Sequence, residues 1–142
     1  RKESSAASDV YKRQVYASSH EYPLFPGTGS EEEIGVGNIF NAPIKSGTNG
    51  VEFLKIFENK ILKPIDKFKP EIILISAGFD AHTRDPLANI CLESKDYFTI
   101  TKKIVELANI HSQGRLISFF EGGYDLQALS ESIKEHLMAL KK

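Results

Sequence analysis

The sequence predicts an α/β fold in which a parallel β-sheet is flanked by helices. From Val15 onward, short apolar runs alternate with amphipathic segments, and this alternation is typical of β-α units. Residues 71–77 (EIILISA) form a continuous apolar run, as expected of a central parallel strand that is covered on both faces. A composition of 41% hydrophobic and 26% charged residues over 142 residues fits one globular domain.

The other predicted strands are short. Residues 15–18 and 39–44 read as strands on either side of a loop at residues 20–37, which is rich in glycine, proline and glutamate. Residues 115–120 (RLISFF) predict a further strand. Long loops of this kind are often functional, so we expect residues 20–37 to be ordered rather than a simple linker.

The first helix is predicted at about residues 51–68, because its apolar residues recur at three- and four-residue spacing. Thr48 or Asn49 can accept the backbone N–H groups of its first turn as an N-cap. Pro64 has no backbone N–H, so we expect a kink or a break into two short helices there.

Two further helices are predicted. Ser94 is placed to cap a helix that stops at Gly114, and Asp125 is placed to cap a last helix. His111 and His136 lie in these helices and are expected to face solvent. The inward face of the last helix is expected to consist of Leu126, Leu129, Ile133, Leu137 and Leu140.

Charge and cysteine content exclude several classes of function. With 18 Lys and Arg against 19 Asp and Glu, a formal charge of −1 provides no basic surface for nucleic acid or for an anionic membrane. No apolar run approaches the roughly 20 residues that cross a bilayer. The single cysteine, Cys91, forms no intrachain disulfide and favours a reducing, cytoplasmic compartment. Nothing in the sequence indicates an oligomeric state.

Residues 1–14 differ in character from the rest of the chain. They show no apolar periodicity and join abruptly to the first strand at Val15. The segment SSAASDVYKRQ, residues 4–14, looks like the translation of a sequencing adapter. We expect residues 1–14 to be non-native and disordered, and residues 15–142 to be part of a single domain. A short natural tail is the alternative.

Two predicted strand ends carry polar residues suited to a site. In open parallel sheets, ligands bind beyond the carboxyl ends of the strands. The segment SAGFDAH places Asp80 after one strand, and EGGY places Tyr124 after the next, so both lie at one sheet edge if the strands are neighbours. A carboxylate can bind zinc, and a phenol can donate to an oxyanion. An ordinary turn residue and a packed aromatic residue would fit the same pattern.

Three motifs together resemble those of the histone deacetylase and acetylpolyamine amidohydrolase family. They are HEYPLFPGTG at residues 20–29, SAGFDAH at 76–82 followed by DPL at 85–87, and EGGYDL at 121–126. They occur in the family's order, and the resemblance covers residues 15–142, with the bacterial and class II-like branch the most similar. The resemblance implies the C-terminal part of a single catalytic domain with an arginase/deacetylase-like fold.

The resemblance also implies roles for individual residues. Asp80 would be one of three protein ligands of a zinc ion. Tyr124 would donate its hydroxyl to the oxyanion formed as an acetyl amide is hydrolysed. Phe25 and Leu87 would be walls of a narrow acyl-lysine tunnel, and Gly122 would approach the substrate with its backbone.

Other polar residues receive weaker assignments. Ser18 and Ser19 match positions at which family members bind a structural potassium ion. His20 and His82 do not match the family's ligand positions, and we expect them to stabilise loops. The glutamates at residues 31–33 are expected to form a solvated loop.

The family's remaining ligands, from an Asp-x-His motif, and its paired histidines are expected N-terminal to the matched segment. Zinc held by Asp80 alone would be weak. The chain is therefore predicted to be an N-terminally truncated, inactive fragment of a zinc-dependent deacetylase that acts on N-acetyl-lysine or an acetylpolyamine. The exposed sheet edge left by the missing part is expected to be an unusually apolar surface that promotes aggregation.

Two other classes of function fit parts of the sequence. A non-catalytic α/β module would use the same crevice to bind a nucleotide or a protein, but neither G-x-G-x-x-G nor a P-loop motif follows any strand. A different metal hydrolase of arginase-like fold would need further Asp and His clusters at strand ends. The deacetylase hypothesis requires Asp80 and Tyr124 to line one pocket, with Phe25 and Leu87 at its rim.

Overall fold

The structure, a computed structural model, describes residues 13–24 and 27–141. The elements are, in order, β1 (Tyr16–Glu21), β2 (Ile39–Ile44), α1 (Gly50–Phe57), a π-helical turn (Glu58–Leu62), α2 (Lys63–Phe68), β3 (Ile73–Ala77), α3 (Ser94–His111), β4 (Leu116–Phe120) and α4 (Leu126–Leu140). Strand β1 pairs with β2, and β3 with β4, both in parallel. The predicted α/β class is confirmed. The predicted non-native segment lies outside the described residues except for its last two.

The β1–β2 pair is covered by the helical segment that follows it. Ala42 and Ile44 of β2 are buried in one core cluster with Phe53 and Phe57 of α1. Strand β1 continues to pair with β2 as far as Glu21, so it is longer than the predicted residues 15–18.

The helical segment after β2 begins at the predicted place. Asn49 is its N-cap, and its side-chain oxygen accepts a first-turn backbone N–H at 3.0 Å. The segment divides near Pro64 into two short α-helices, as expected, but a π-helical turn joins them, in which the N–H of Lys63 bonds to the carbonyl of Glu58. Pro64 then falls in the first turn of α2, where a missing N–H has little cost.

The β3–β4 pair is covered by helices on one face only. On that face, Ser118 of β4 bonds to His136 of α4 at 2.9 Å. On the other face, Leu74, Ile117 and Phe119 are 62%, 47% and 52% exposed. The prediction that residues 71–77 are covered on both faces is therefore wrong for the described part of the chain. The apolar surface was expected at a sheet edge, whereas these exposed side chains lie on a sheet face. This face, formed by Leu74, Ile117 and Phe119, we name the open sheet face.

Helix α4 buries only part of the face that its apolar residues predict. Leu129 and Ile133 are partly buried against the core cluster, as expected. Leu126 and Leu137, expected to point inward, are exposed. His136 bonds to both α3 and β4: its Nδ1 lies 2.7 Å from Thr101 Oγ1 of α3, and its Nε2 lies 2.9 Å from Ser118 Oγ of β4. The prediction that His136 faces solvent is wrong for this reason. The buried residues of the helix are Ala128, Ser132, His136 and Ala139.

Carboxylates cap both long helices. Helix α3 begins at the predicted Ser94, but its N-cap is Glu93, which forms a capping box with Asp96. Asp125 caps α4 as predicted, with its side chain accepting a backbone N–H at 2.7 Å. Within the described residues, none of the helices has the length and apolar character needed to cross a membrane.

Candidate active site

The carboxyl ends of β3 and β4 are joined by backbone hydrogen bonds. The N–H of Glu121 donates to the carbonyl of Ala77 at 3.0 Å, and the N–H of Phe79 donates to the carbonyl of Gly122 at 2.7 Å. The strands are parallel neighbours. Asp80 and Tyr124, which directly follow these segments, therefore leave the sheet at the same edge.

Asp80 and Tyr124 face one space beside Gly122. A Cβ atom placed on Gly122 would lie 3.5 Å from Asp80 Oδ2 and 3.4 Å from Tyr124 Oη. The two polar groups are thus within van der Waals distance of one point, next to a backbone that carries no side chain. Tyr124 is 56% exposed, so this space is open to solvent. A small ligand that enters it would meet a carboxylate, a phenol and the Gly122 backbone together.

A buried carboxylate, that of Asp85, holds the backbone next to this space. Asp85 Oδ2 accepts the backbone N–H of Tyr124 at 2.9 Å, and Asp85 Oδ1 accepts the backbone N–H of Leu87 at 2.9 Å. In the sequence, Asp85 stands out only as the first residue of the DPL motif. The available signal was the Asp-Pro pair, which favours a turn in which the aspartate bonds to the backbone two residues on.

The structure describes only one of the two predicted tunnel walls. Leu87 lies in the loop after β3 and is largely exposed. Phe25 lies outside the described residues. Glu21, at the end of β1, accepts the N–H of Asn89 at 2.7 Å. The loop that carries Leu87 is therefore tied to the start of the loop that contains Phe25.

Ser18 and Ser19 lie within the paired part of β1. The Ser18 hydroxyl bonds to His20 Nδ1 at 3.0 Å, and His20 Nε2 donates to the carbonyl of Gly29 at 2.9 Å. Because a carbonyl only accepts, Nδ1 is left as the acceptor for the Ser18 hydroxyl. His20 therefore holds the loop after β1, in agreement with the expectation that it stabilises a loop.

His82 stands two residues after Asp80, so the pair has the Asp-x-His spacing of some metal sites. However, His82 Nδ1 accepts the N–H of Arg84 at 3.1 Å, which leaves Nε2–H to donate to Ser94 Oγ at 3.2 Å. Burial, and then the charge of Arg84, lower the pKa of His82. Both ring nitrogens are thus engaged within the loop, as expected of a loop-stabilising residue.

The described residues contain no group of three or more His, Cys, Asp and Glu side chains that could hold a metal ion. Asp80 directs a carboxylate oxygen to within 3.5 Å of the point where a Gly122 Cβ would lie. A carboxylate oxygen is an accepted zinc ligand. The site therefore fits one corner of a metal centre, and further ligands would have to come from outside the described residues.

Comparison with known sequences finds matches over most of the chain. Residues 5–140 match the family described as "Histone deacetylase domain". The chain is 39% identical over 129 residues to "Histone deacetylase 14, chloroplastic" of Arabidopsis thaliana, a match that covers 88% of this chain and 30% of that protein.

Solved structures give a similar result. The HDA15 HD domain superimposes with a TM-score of 0.82 at 28% identity, over 90% of this chain and 38% of that one. An acetylpolyamine aminohydrolase from Burkholderia pseudomallei gives a TM-score of 0.79 at 22% identity, over 89% of this chain and 37% of that one, a likeness of fold alone. The chain thus spans well under half the length of each of these proteins.

Proposed function

The chain belongs to the histone deacetylase family, as its three motifs predicted, and from this premise we propose that it is the C-terminal part of a zinc-dependent deacetylase. The reaction is hydrolysis of the amide bond of an N-acetyl-lysine or an acetylpolyamine. One observation carries the proposal: Asp80 Oδ2 and Tyr124 Oη both lie within 3.5 Å of the point where a Gly122 Cβ would be.

Each of the two polar groups receives a distinct role. Asp80 would be one carboxylate ligand of zinc, which when bound supplies Lewis-acid polarisation of the acetyl carbonyl and an activated water. Tyr124 donates its hydroxyl to the carbonyl oxygen as negative charge develops there. A single donor of this type typically contributes about 10²–10³ in kcat. Tyr124 is largely exposed, which suits a group that must meet an incoming substrate.

Substrate selection depends on the backbone of Gly122 and on apolar walls. Gly122 lets the acetyl amide approach Asp80 and Tyr124, because no side chain fills the space between them. Leu87, and Phe25 on the loop after β1, would line a narrow passage for an unbranched chain. Such a passage suits lysine and polyamines, since their methylene chains can lie in apolar surroundings while the amide reaches the polar end.

We also propose that the chain is inactive by itself. Residues 1–14 are proposed to be non-native on their composition, although the family match begins within them, at residue 5. Asp80 offers one ligand, whereas stable zinc sites use three or four protein ligands. Ser18 and Ser19 would contribute oxygens to a structural potassium ion. The single Cys91 supports a reducing compartment such as the cytoplasm, although the Arabidopsis relative is named as chloroplastic.

A chimera tests the proposed reaction. Residues 15–140 replace the matched segment of the HDA15 HD domain, and the purified protein is assayed on an acetyl-lysine peptide and on an acetylated polyamine, with its zinc content measured. We expect turnover of at least one substrate, and the relative rates identify the substrate class. Asp80→Asn in the chimera should lower both zinc content and turnover, because it weakens one ligand.

Two outcomes would count against these proposals separately. A folded chimera that retains zinc but hydrolyses neither substrate contradicts the deacetylase assignment. The unaltered 142-residue chain is assayed alongside with added zinc. Turnover by that chain at a rate comparable to the HDA15 HD domain would contradict its proposed inactivity and leave the reaction class intact.

A further inference from the structure

We propose that Asp85 is a positioning residue that holds Tyr124 and Leu87 in a fixed relation to each other. The inference rests on the proposed function, which makes Tyr124 the oxyanion donor and Leu87 a tunnel wall. Asp85 is buried, with 9% of its surface exposed. Its two oxygens accept the backbone N–H groups of Tyr124 and Leu87, each at 2.9 Å.

The backbone before Tyr124 is held at Gly122, whose carbonyl accepts the N–H of Phe79 at 2.7 Å, but a glycine separates that bond from Tyr124. Gly122 and Gly123 precede it, and Gly123 has φ = +146°, a conformation that glycine adopts readily and other residues do not. Asp125 is the N-cap of α4, so the Tyr124 N–H lies before the helix and has no acceptor within it. Asp85 supplies that acceptor from a different loop.

Asp85 is itself held firmly. Its backbone N–H donates to the carbonyl of His82 at 2.8 Å, and His82 is bonded through its ring to Ser94 at the start of α3. Pro86 follows and fixes its own φ, which stiffens the turn to Leu87. A charged acceptor also forms stronger hydrogen bonds than a neutral one. Asp85 is therefore tied, through His82, to the start of α3.

The carboxylate is suited to this task because it has two accepting oxygens. An amide side chain has one, and its NH₂ group cannot accept. Asp85 can therefore serve the N–H of Tyr124 and that of Leu87 at the same time. If the backbone at Leu87 moves, Asp85 moves with it, and the position of Tyr124 changes as well.

The test uses the full chain, labelled with ¹⁵N and with 3-fluorotyrosine. Amide hydrogen exchange is measured at Tyr124 and Leu87, and the ¹⁹F resonance of Tyr124 is assigned with Tyr124→Phe. In Asp85→Ala we expect exchange at both amides to be at least about tenfold faster and the ¹⁹F resonance to shift or broaden. The matched control is Asp96→Ala, which removes a carboxylate that accepts the N–H of Glu93 at 2.8 Å, in the cap of α3. It should leave both signals unchanged.

A second variant keeps the proposal testable if Asp85→Ala does not fold. Asp85→Asn preserves the side-chain volume and one acceptor, so at least one of the two amides should exchange about tenfold faster. A folded variant in which neither amide changes by more than about twofold would overturn the proposal. Unfolding of the chain by Asp85→Asn would also overturn it, because the carboxylate would then support the fold as a whole. None of these readouts needs turnover, so failure of the deacetylase assignment is detected separately.

Discussion

The hydroxyl of Tyr97 donates to the carbonyl oxygen of Phe79 at 3.1 Å. The two rings are also in contact, with centroids 5.2 Å apart. Burial, and then the negative charge of Asp80, raise the pKa of Tyr97, so its hydroxyl stays protonated and remains a donor. Helix α3 therefore holds the backbone of the residue directly before the candidate ligand Asp80.

This contact predicts a loss of stability in Tyr97→Phe. The Phe79 carbonyl would keep a longer bond, from the N–H of His82 at 3.4 Å, and lose its shorter one. We expect the free energy of unfolding to fall by about 1 kcal/mol, measured by urea denaturation. An unchanged unfolding midpoint would show that the Tyr97 hydroxyl does not support this loop.

Tyr124→Phe should affect the reaction rate rather than the stability of the fold. The side chain of Tyr124 is largely exposed, so the free energy of unfolding should change by less than about 0.5 kcal/mol. In the chimera, kcat should fall by about 10²–10³, because the donor to the developing oxyanion is lost. The comparison is Tyr97→Phe, which should lower the free energy of unfolding while the hydroxyl of Tyr124 stays in place. A Tyr124→Phe chimera with full kcat would exclude the proposed role.

Alanine substitutions at the adjacent glycines Gly122 and Gly123 should have different effects on stability and turnover. In Gly122→Ala, the new methyl group would make ordinary contacts with Asp80 Oδ2 and Tyr124 Oη, at 3.5 and 3.4 Å. The fold should persist, within about 0.5 kcal/mol of the parent, while turnover by the chimera should fall by more than about tenfold, because the methyl group occupies the reaction space.

Gly123→Ala is the comparison for that variant. Its Cβ would lie 2.7 Å from Leu129 Cδ1 and 3.2 Å from Phe79 Cβ, on a backbone with φ = +146°. We expect it to lower the free energy of unfolding by about 1–3 kcal/mol. If Gly122→Ala proved the more destabilising of the two, the space beside Gly122 would not be open as described.

The contact between α3 and α4 is expected to weaken in acid. Burial lowers the pKa of His136 below the value of 6.5 that applies to the unfolded chain. The unfolded state then binds a proton more readily than the folded state. The contribution of His136 to stability is therefore complete above about pH 6.5 and declines as the pH falls through that value toward the folded pKa. Urea denaturation between about pH 5 and 8 measures this slope.

The variant His136→Gln identifies the source of the slope and should reduce it. The other helical histidine, His111, is not freely solvated as predicted, because its Nε2 lies 2.7 Å from Asp66 Oδ1. It is not part of the contact with α4. The pKa of His82 is also lowered, so a residual slope of the same sign should remain in His136→Gln. A full slope in that variant would refute the assignment.

The open sheet face predicts association of the isolated chain. Leu74 and Ile117 are register partners on neighbouring strands, and such contiguous apolar surface favours contact between molecules. Leu74→Thr combined with Phe119→Thr should lower the weight-average mass measured by sedimentation at high protein concentration. Val51→Thr, which removes an isolated exposed side chain on α1, should not.

Local signals made much of the fold predictable. Strand β2 has the predicted bounds, and Asn49 and Asp125 cap helices because their side chains need only neighbouring backbone to act. The rotation of α4 was not predictable in this way. Apolar spacing favours burial of Leu137, whereas the structure buries His136, since the identity of the facing helix decides which side chains find room and partners.

The candidate site was predictable to a similar degree. The motifs bring Asp80 and Tyr124 to one edge, as parallel neighbouring strands require. Asp85 escaped notice because its bond to Tyr124 joins residues far apart in sequence, and a contact of that kind leaves no periodic pattern. Phe25 lies outside the described residues, so its place at the rim stays a prediction.

The bare backbone at Gly122 has a practical consequence for laboratory screening. A substitution that adds a methyl group there meets only van der Waals contacts, so the altered polypeptide should express, purify and melt like its parent. A variant library ranked by solubility or by thermal shift would therefore score such variants as well folded. Damage at this position would become visible only in an assay that follows release of acetate.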